Sequence, residues 1–434
     1  MTPICSLETI QLGGGTRAEH PREYDSITYS VSAHPTHPNL VITADEEGLV
    51  RLHDLRSPGA GAFPSMEGLF VRNSEINDAQ WCPAMGAGHS FVVAQADGNV
   101  SLMDSRMAFS TSINPSEDPK NVVQRYATWV SKPGSTTCCA PEPSSIAFGV
   151  DGKRMALTLK NYVPVLYDTF DVFPIAQCGI LPESTGESIP LGTRSYVNGC
   201  TVKSTLPLPS PQHGSFGGVG LGLSEDSIYC AGSDDFRVYA WAIPSWDELK
   251  STRHYYEKSR WMSGIRESGI AEFASPAIPA VTATTPTDGH LGFTTPGDSQ
   301  MVTVPTTLSQ PAFCLGGHKS IVNTAAFHPS LPILISAGIE SNILIHRPHP
   351  MPGGQVTERP ENTRALPPPS TLSRLNFRAN AYGLDTMTME EIALYRSVPR
   401  EDRAILMFDE ILRLEGTSDI FQTRLQVPLN DDDD

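Results

Sequence analysis

The sequence predicts an all-β protein in which short strands form the blades of a β-propeller. Residues 313–348 contain three short alternating runs joined by tight turns and led by a Gly-His pair, the pattern of one propeller blade. Similar stretches recur along the chain, as they must, because one blade cannot bury both faces of its sheet. Glycine and proline number 35 and 37 of 434 residues, which suits many short strands and irregular connections.

Four further copies of the blade pattern precede residues 313–348. In each copy a strand leads into a turn, mostly acidic, and then into a strand that ends at a large side chain. The five repeats span residues 24–56, 75–106, 144–178, 214–244 and 313–348. The position of the blade tryptophan is held in order by His53, Met103, Tyr167, Trp241 and His346. Five such recurrences predict a WD40-type propeller across residues 24–348.

Residues 1–23 precede the first repeat and contain a short possible strand at residues 6–12, followed by a glycine-rich loop. A sequence repeat of a WD propeller is offset from its blade and opens with the outer strand of the preceding blade. We therefore expect residues 6–12 to be the outer strand of a blade whose three inner strands are missing from the N-terminus.

Acidic residues recur in the turns between the second and third strands of the repeats, at Asp45, Asp97, Asp234 and Glu340. A carboxylate in a tight turn can accept hydrogen bonds from nearby backbone N–H groups. This recurrence therefore predicts a structural role for the four residues, and a catalytic role is the weaker explanation.

Long connections separate some of the repeats. Residues 107–143 are expected to be mostly loop, with one possible strand around residues 126–130, and residues 245–312 form an insertion. Ser245 and Glu248 have the spacing of a capping box, which predicts a short helix at the start of the insertion. Residues 264–310 are rich in Thr, Pro, Ala and Gly without periodicity, which predicts disorder. Residues 349–372 form a proline-rich linker.

Residues 373–425 predict a helical extension, which is followed by an acidic, solvated tail at residues 426–434. Thr386 or Thr388 can cap the first helix. The second helix places apolar side chains on one face, namely Ile405, Phe408, Ile411 and Leu412. Such a helix either packs on the propeller or binds a partner, and packing is the more common outcome.

The overall composition limits the classes of partner and the compartment. A formal net charge of −17 without a compensating Lys/Arg block argues against a nucleic-acid partner. Eight cysteines occur without a Cys-x-x-Cys pair, so we expect buried thiols in a reducing compartment. No signal-peptide pattern and no apolar run of membrane-spanning length occurs. We therefore expect a soluble protein of the nucleus, the cytoplasm or both, without a membrane partner.

No motif in the sequence carries catalytic chemistry. The glycines of GGVGLG at residues 217–222 lack the spacing of a dinucleotide site. Several histidines stand beside prolines in turns, and His318 has a structural role available at the head of a blade. A propeller hydrolase would need carboxylates or histidines from several blades in register, which the sequence does not show. We therefore expect no catalytic residue, no cofactor and no metal.

Two consecutive repeats end in the same Asp-x-Arg pattern, HDLR at residues 53–56 and MDSR at residues 103–106. Asp54 and Asp104 close the third strands, and Arg56 and Arg106 follow where the chain leaves the sheet. A guanidinium is a planar fork of five donors that binds a carboxylate bidentately. A solvated arginine explains either residue alone, whereas the repetition on adjacent blades favours a protein interface on one rim.

These residues also resemble a known family. Tandem W-D-x-R repeat ends mark the substrate receptors of cullin-4 RING ubiquitin ligases. The closest resemblance is to the cullin-4-associated factor 5 group, and it extends over roughly residues 20–348. The motifs that carry it are PVLYD at 164–168, NGCTVKS at 198–204, AGSDDFRVYAWAIP at 231–244 and GGHKSIVNTAAFHP at 316–329.

The resemblance implies a seven-bladed ring in which Asp54, Arg56, Asp104 and Arg106 face the damaged-DNA-binding adaptor of the ligase. It also implies a non-catalytic receptor that recruits an unknown protein substrate, with the enzyme activity in its partners. Two features depart from the family pattern: His53 and Met103 replace the tryptophans, and only five repeats are found. The alternative is a general WD40 interaction scaffold unrelated to ubiquitin, in which the Asp-x-Arg pair is incidental.

Overall fold

The computed structural model describes residues 27–56, 67–70, 74–83, 88–109, 122–160, 162–179, 213–264, 291–296, 300–348, 368, 370–415 and 427–428. Several predictions lie outside these residues, namely the orphan strand at 6–12, the first part of the disordered insertion, most of the proline-rich linker and most of the acidic tail. Within the described residues the chain is strand-rich with several antiparallel sheets, consistent with an all-β propeller.

Each predicted repeat supplies the three main strands of one antiparallel sheet, and we number these sheets 1 to 5 in chain order. In order, the three strands of sheet 1 are Thr28–Ala33, Leu40–Asp45 and Leu49–Asp54, and those of sheet 2 are Ile76–Trp81, Ser90–Gln95 and Val100–Asp104. Sheet 3 has Pro143–Phe148, Arg154–Leu159 and Val165–Asp168, and sheet 4 has Ser215–Gly217, Ile228–Gly232 and Val238–Ala242. Sheet 5 has Val322–Phe327, Leu334–Gly338 and Ile343–His346. Sheets 1 to 4 add an outer strand from the chain that precedes the next sheet: Glu67–Phe70, Val122–Arg125, Ala176–Cys178 and Phe313–Leu315. Thr306–Leu308 extends sheet 3.

The sheets pack face to face in chain order, because alternate side chains of each strand point to opposite faces. The first strand of sheet 2 contacts sheet 1, and the first strand of sheet 3 contacts sheet 2. Tyr229, Tyr239 and Trp241 of sheet 4 are fully buried in a cluster with residues of sheet 3. Val322 and Leu334 of sheet 5 pack on sheet 4 in the same way. Burial between neighbouring sheets therefore forms the core.

Every sheet has two distinct ends. The turn between the second and third strands lies at one end, which we call the acidic-turn end, and it carries Asp45, Asp97, Asp234 and Glu340. Asp45 accepts the backbone N–H of Glu47 at 3.1 Å and of Leu49 at 2.9 Å, as its predicted structural role requires. The third strands finish at the opposite end, which we call the rim. The blade-tryptophan position lies at or next to the last residue of each third strand and is held by His53, Met103, Tyr167, Trp241 and His346.

A further sheet, which we call the side sheet, packs beside sheets 2 and 3. Its strands are Trp129–Ser131, Thr137–Cys139, His254–Glu257, Gly292–Thr294, Met301–Val304 and Val427–Pro428. They correct the disorder that was expected in the described part of residues 264–310. In the segment 107–143, the possible strand around residues 126–130 is found at Trp129–Ser131, and Thr137–Cys139 is a further strand. Each strand is only two to four residues long, and several find their partners far along the chain, so local periodicity reveals few of them.

Six helices lie in the described residues: α1, Ser105–Ala108; α2, Trp246–Thr252; α3, Lys258–Met262; α4, Thr371–Tyr382; α5, Met389–Ser397; and α6, Arg400–Glu415. Ser245 caps α2 by accepting the N–H of Glu248 at 3.3 Å, which confirms the predicted start. Thr388 caps α5 in a capping box with Glu391. Among the described residues, no helix is long and apolar enough to cross a bilayer.

The helical extension packs on the sheets at the acidic-turn end. Met407, Phe408, Ile411 and Leu412 of α6 are buried in one cluster with Phe236 and Ile321. Phe236 lies in the acidic turn of sheet 4, and Ile321 directly precedes the first strand of sheet 5. The apolar face of α6 therefore covers sheets 4 and 5. Of the two alternatives for this helix, packing on the sheets and binding a partner, the structure shows packing.

Sheet 5 has one buried face and one exposed face. Leu334 is 3% exposed against sheet 4, whereas Ile335, Ile343 and Ile345 on the other face are 44%, 68% and 61% exposed. Ile335 and Ile345 are direct cross-strand partners, so their side chains lie side by side. The row of sheets therefore presents an open apolar face at sheet 5.

Candidate protein-interaction rim

Asp54 and Arg56 form a self-contained turn at the rim end of sheet 1. The backbone N–H of Arg56 donates to Asp54 Oδ1 at 3.0 Å. The guanidinium returns to the same carboxylate, with Nε donating to Oδ1 at 2.9 Å and Nη2 donating to Oδ2 at 2.6 Å. This bidentate pair is the strong form of an arginine–carboxylate contact, and it orients the arginine side chain.

Asp104 and Arg106 repeat the same turn on sheet 2. The backbone N–H of Arg106 donates to Asp104 Oδ1 at 3.0 Å, and Nε and Nη2 donate at 3.0 and 2.5 Å. In both sheets the residue between the two donates its backbone N–H to the turn that joins the first and second strands. Leu55 donates to Asn39 O at 2.8 Å, and Ser105 donates to His89 O at 2.7 Å. The two arginines therefore occupy equivalent positions on neighbouring sheets.

Both guanidinium groups are exposed and charged. The side chains of Arg56 and Arg106 are each 64% exposed, and each pair leaves the Nη1 amino group outside the bidentate contact. The hydrogen bonds from Arg56 lower the pKa of Asp54 to about 2. The hydrogen bond from Arg106 lowers the pKa of Asp104, and each aspartate in turn raises the pKa of its arginine. The structure thus presents two oriented cationic groups on one rim.

The residues that replace tryptophan at His53 and Met103 still support the strands that lead to these turns. Met103 is fully buried in the cluster between sheets 1 and 2. His53 Nε2 bonds to Thr43 Oγ1 at 2.9 Å, and burial lowers the pKa of the His53 ring. His53 and Met103 therefore anchor the third strands ahead of the Asp-x-Arg turns.

Exposed apolar side chains lie on the same rim as the arginines. They belong either to the ends of the third strands or to the turns between the first and second strands: Leu55, Met107, Val150, Phe170, Val219, Leu221, Leu223 and Leu331. A single exposed apolar residue needs no explanation, whereas a series on one rim beside oriented arginines has the composition of a protein interface. Sequence reasoning missed this series, because its members share a rim only when the turns are aligned.

Sheet 5 contains a Ser, His and Glu arrangement that resembles a catalytic triad. His318 Nδ1 contacts Glu340 Oε1, and His318 Nε2 bonds to Ser336 Oγ at 2.7 Å. The Ser336 residue is only 1% exposed, and its hydroxyl also bonds to His346 Nε2 at 2.8 Å. A buried hydroxyl held between two imidazole rings cannot reach a substrate carbonyl. The arrangement therefore joins the strands of sheet 5, the structural role predicted for His318.

The cysteines that the structure describes are mostly buried: Cys82, Cys138, Cys139, Cys178 and Cys230, with Cys314 exposed. Burial raises the pKa of Cys82 to about 12 and that of Cys138 to about 11, so both thiols stay protonated at neutral pH. Within the described stretches, no group of three or more His, Cys, Asp or Glu side chains has the arrangement of a metal site.

No family model matches the chain. Over 209 residues, which are 48% of this chain, it is 23% identical to DDB1- and CUL4-associated factor 5 of Homo sapiens. The corresponding Mus musculus protein matches with the same identity and coverage. The match spans 14% of the length of these curated relatives. This weak similarity supports a distant relationship between about half of the chain and DDB1- and CUL4-associated factor 5.

Proposed function

We propose that the chain is a non-catalytic WD-repeat substrate receptor of a cullin-4 RING ubiquitin ligase, and that its rim docks on the DDB1 adaptor. The observation that carries the proposal is the bidentate Asp-x-Arg turn, which occurs with the same hydrogen bonds on sheets 1 and 2. The similarity to DDB1- and CUL4-associated factor 5 supports this partner.

The proposed docking uses the orientation of the two arginines. An exposed arginine ordinarily loses side-chain entropy when a partner immobilises it, at a cost of about 0.5–1.5 kcal/mol per side chain. Asp54 and Asp104 already hold Arg56 and Arg106 in place. The remaining guanidinium donors then meet carboxylate or carbonyl oxygens of the adaptor at lower cost.

The ligase needs the substrate to bind elsewhere on the receptor while the rim holds the adaptor. The acidic-turn end, with α6 across sheets 4 and 5, lies opposite the rim and serves as the proposed substrate-facing surface. We further propose that sheets 1 to 5 are blades of a WD40 ring of the seven-bladed type, which the described residues leave open at Ile343 and Ile345. The proposed receptor acts in the nucleus, the cytoplasm or both, on a protein substrate.

Co-purification with DDB1 tests the proposal. We expect the full chain to recover DDB1, and the Arg56→Ala, Arg106→Ala double variant to lose it while keeping the same melting temperature. A matched control replaces two exposed arginines of the helical extension, Arg396 and Arg400, with alanine and keeps DDB1. Equal recovery by the rim variant and the wild type would remove the assigned role of the arginine pair.

A general WD40 scaffold unrelated to ubiquitin is the second candidate. It is favoured by the fact that each rim arginine already has a carboxylate partner within its own turn. In that case the Asp-x-Arg turns only terminate the third strands. Absence of DDB1 from the complexes of the wild-type chain, together with stable recovery of other proteins, would support the scaffold.

A further inference from the structure

Sheet 3 has the same closing turn as sheets 1 and 2, with a phenylalanine at the arginine position. Asp168 Oδ1 accepts the backbone N–H of Phe170 at 3.1 Å. Thr169 donates its N–H to Lys153 O at 2.9 Å, as the middle residue does in sheets 1 and 2. Phe170 therefore stands in register with the two rim arginines, in the next sheet along the chain.

A lysine from outside the turn takes the place of the missing guanidinium. Lys250 Nζ of α2 lies 2.7 Å from Asp168 Oδ2, the oxygen that Nη2 of the arginine contacts in the other two turns. Leu249 is 2% exposed and anchors α2 beside the sheet. In each of the three turns the aspartate is thus paired with a cationic side chain. In sheet 3 this cation comes from α2, and the position that an arginine holds in sheets 1 and 2 is occupied by Phe170.

The Phe170 ring is exposed at a turn that is itself well bonded. Phe170 is 49% exposed, and the chain continues with Asp171 N–H donating to Asp168 O at 2.9 Å. Val150 of the same sheet and Met107, next to Arg106, are 64% and 65% exposed at the same rim. An exposed aromatic ring on a fixed turn, on the same rim as two arginines and several apolar side chains, matches the residue types that are enriched at protein interfaces. In sheet 4 the residues at the aspartate and phenylalanine positions are Ala242 and Pro244, so the series of turns that begin with an aspartate ends at sheet 3.

We propose that Phe170 is a third docking residue of the rim, an apolar anchor that the adaptor receives in a pocket next to the acidic groups that meet Arg56 and Arg106. Lys250 acts as a positioning residue, because it holds Asp168 and so the turn. The inference rests on the proposed function and extends the same interface, since the three turns follow one another on neighbouring sheets. We expect truncation of the Phe170 ring to weaken binding at least about tenfold, which corresponds to about 1.4 kcal/mol.

Affinity measurements with immobilised DDB1 and the purified full chain test the proposal. We expect Phe170→Ala to weaken binding by at least about tenfold, and Phe170→Leu to retain most of it because leucine keeps an apolar side chain in the pocket. Leu394→Ala is the matched control, because Leu394 is 43% exposed on α5 of the helical extension, which packs at the acidic-turn end, away from the rim. This control keeps the wild-type affinity, and all variants keep the wild-type melting temperature.

The outcomes separate this inference from the proposed function. Wild-type affinity of Phe170→Ala, together with lost binding by the Arg56→Ala, Arg106→Ala variant, overturns the role of Phe170 and leaves the receptor proposal standing. Equal binding by all variants, the double arginine variant included, overturns both. Loss of affinity for Phe170→Ala but not for Leu394→Ala supports the anchor.

Discussion

The buried His318–Glu340 pair of sheet 5 gives the sharpest prediction about stability. The side chains of His318 and Glu340 are 0% and 3% exposed, and Glu340 Oε2 also accepts the backbone N–H of Lys319 at 2.7 Å. Glu340→Ala removes the acceptor for both donors. A buried donor that is left without its acceptor costs about 1–3 kcal/mol, and here both the His318 ring and the Lys319 N–H lose theirs. Glu340→Ala is therefore expected to lower the local stability of sheet 5 by about 3 kcal/mol.

Amide hydrogen exchange measures this loss sheet by sheet, which suits a chain of several sheets better than one global transition. A loss of about 3 kcal/mol corresponds to at least about 100-fold faster exchange in the strand Leu334–Gly338, at 1.4 kcal/mol per tenfold. Asp97→Ala is the control, because Asp97 occupies the equivalent turn of sheet 2 but makes exposed bonds to Asn99. Less than tenfold faster exchange in sheet 5 of Glu340→Ala would refute the assigned role of the pair.

Three further predictions follow from the side chains of sheets 1 and 5. Burial lowers the pKa of His346 to about 4 from 6.5, so unfolding takes up a proton between these values. The free energy of unfolding of sheet 5 is therefore highest above pH 6.5 and falls as the pH drops toward 4. We expect the His346→Trp variant to lose this pH dependence when melting temperatures are measured across the pH range. A variant with the same pH dependence as the wild type would contradict the prediction. Arg56→Ala returns the pKa of Asp54 from about 2 toward 3.8 in a carboxyl NMR titration, and an unmoved pKa argues against the bidentate pair. Replacing Ile343 and Ile345 with threonine reduces the concentration-dependent self-association of the chain, measured by light scattering. Equal self-association of the variant and the wild type would show that the exposed face of sheet 5 does not drive it.

Periodic features of the sequence predict most of the repeated architecture. The strand–turn–strand pattern locates all five sheets, because inward apolar residues and turn residues recur at fixed offsets. The cap at Ser245 and the buried face of α6 are likewise local patterns that the structure confirms. The side sheet escapes prediction because its partners, such as Gly292 and Ser131, lie far apart in the sequence and form short strands.

Only part of the candidate site could be predicted from the sequence. The repeated Asp-x-Arg pattern predicts a shared rim for Arg56 and Arg106, and the structure places both there at equivalent turns. The bidentate bonds to Asp54 and Asp104 depend on turn geometry that the sequence does not specify. Phe170 carried a usable signal, because YDTF at 167–170 aligns with HDLR and MDSR. Its exposure and the partnership of Lys250 with Asp168 required the packing of α2 against sheet 3.

The most direct test of the docking proposal is a hydrogen-exchange footprint of the full chain with and without purified DDB1. Docking through the rim predicts slower exchange at residues 53–56 and 103–108, where the Asp-x-Arg turns form the rim, and unchanged exchange in α6. Slower exchange confined to α6 and the acidic-turn end, or no change at either turn, would contradict docking through the rim arginines.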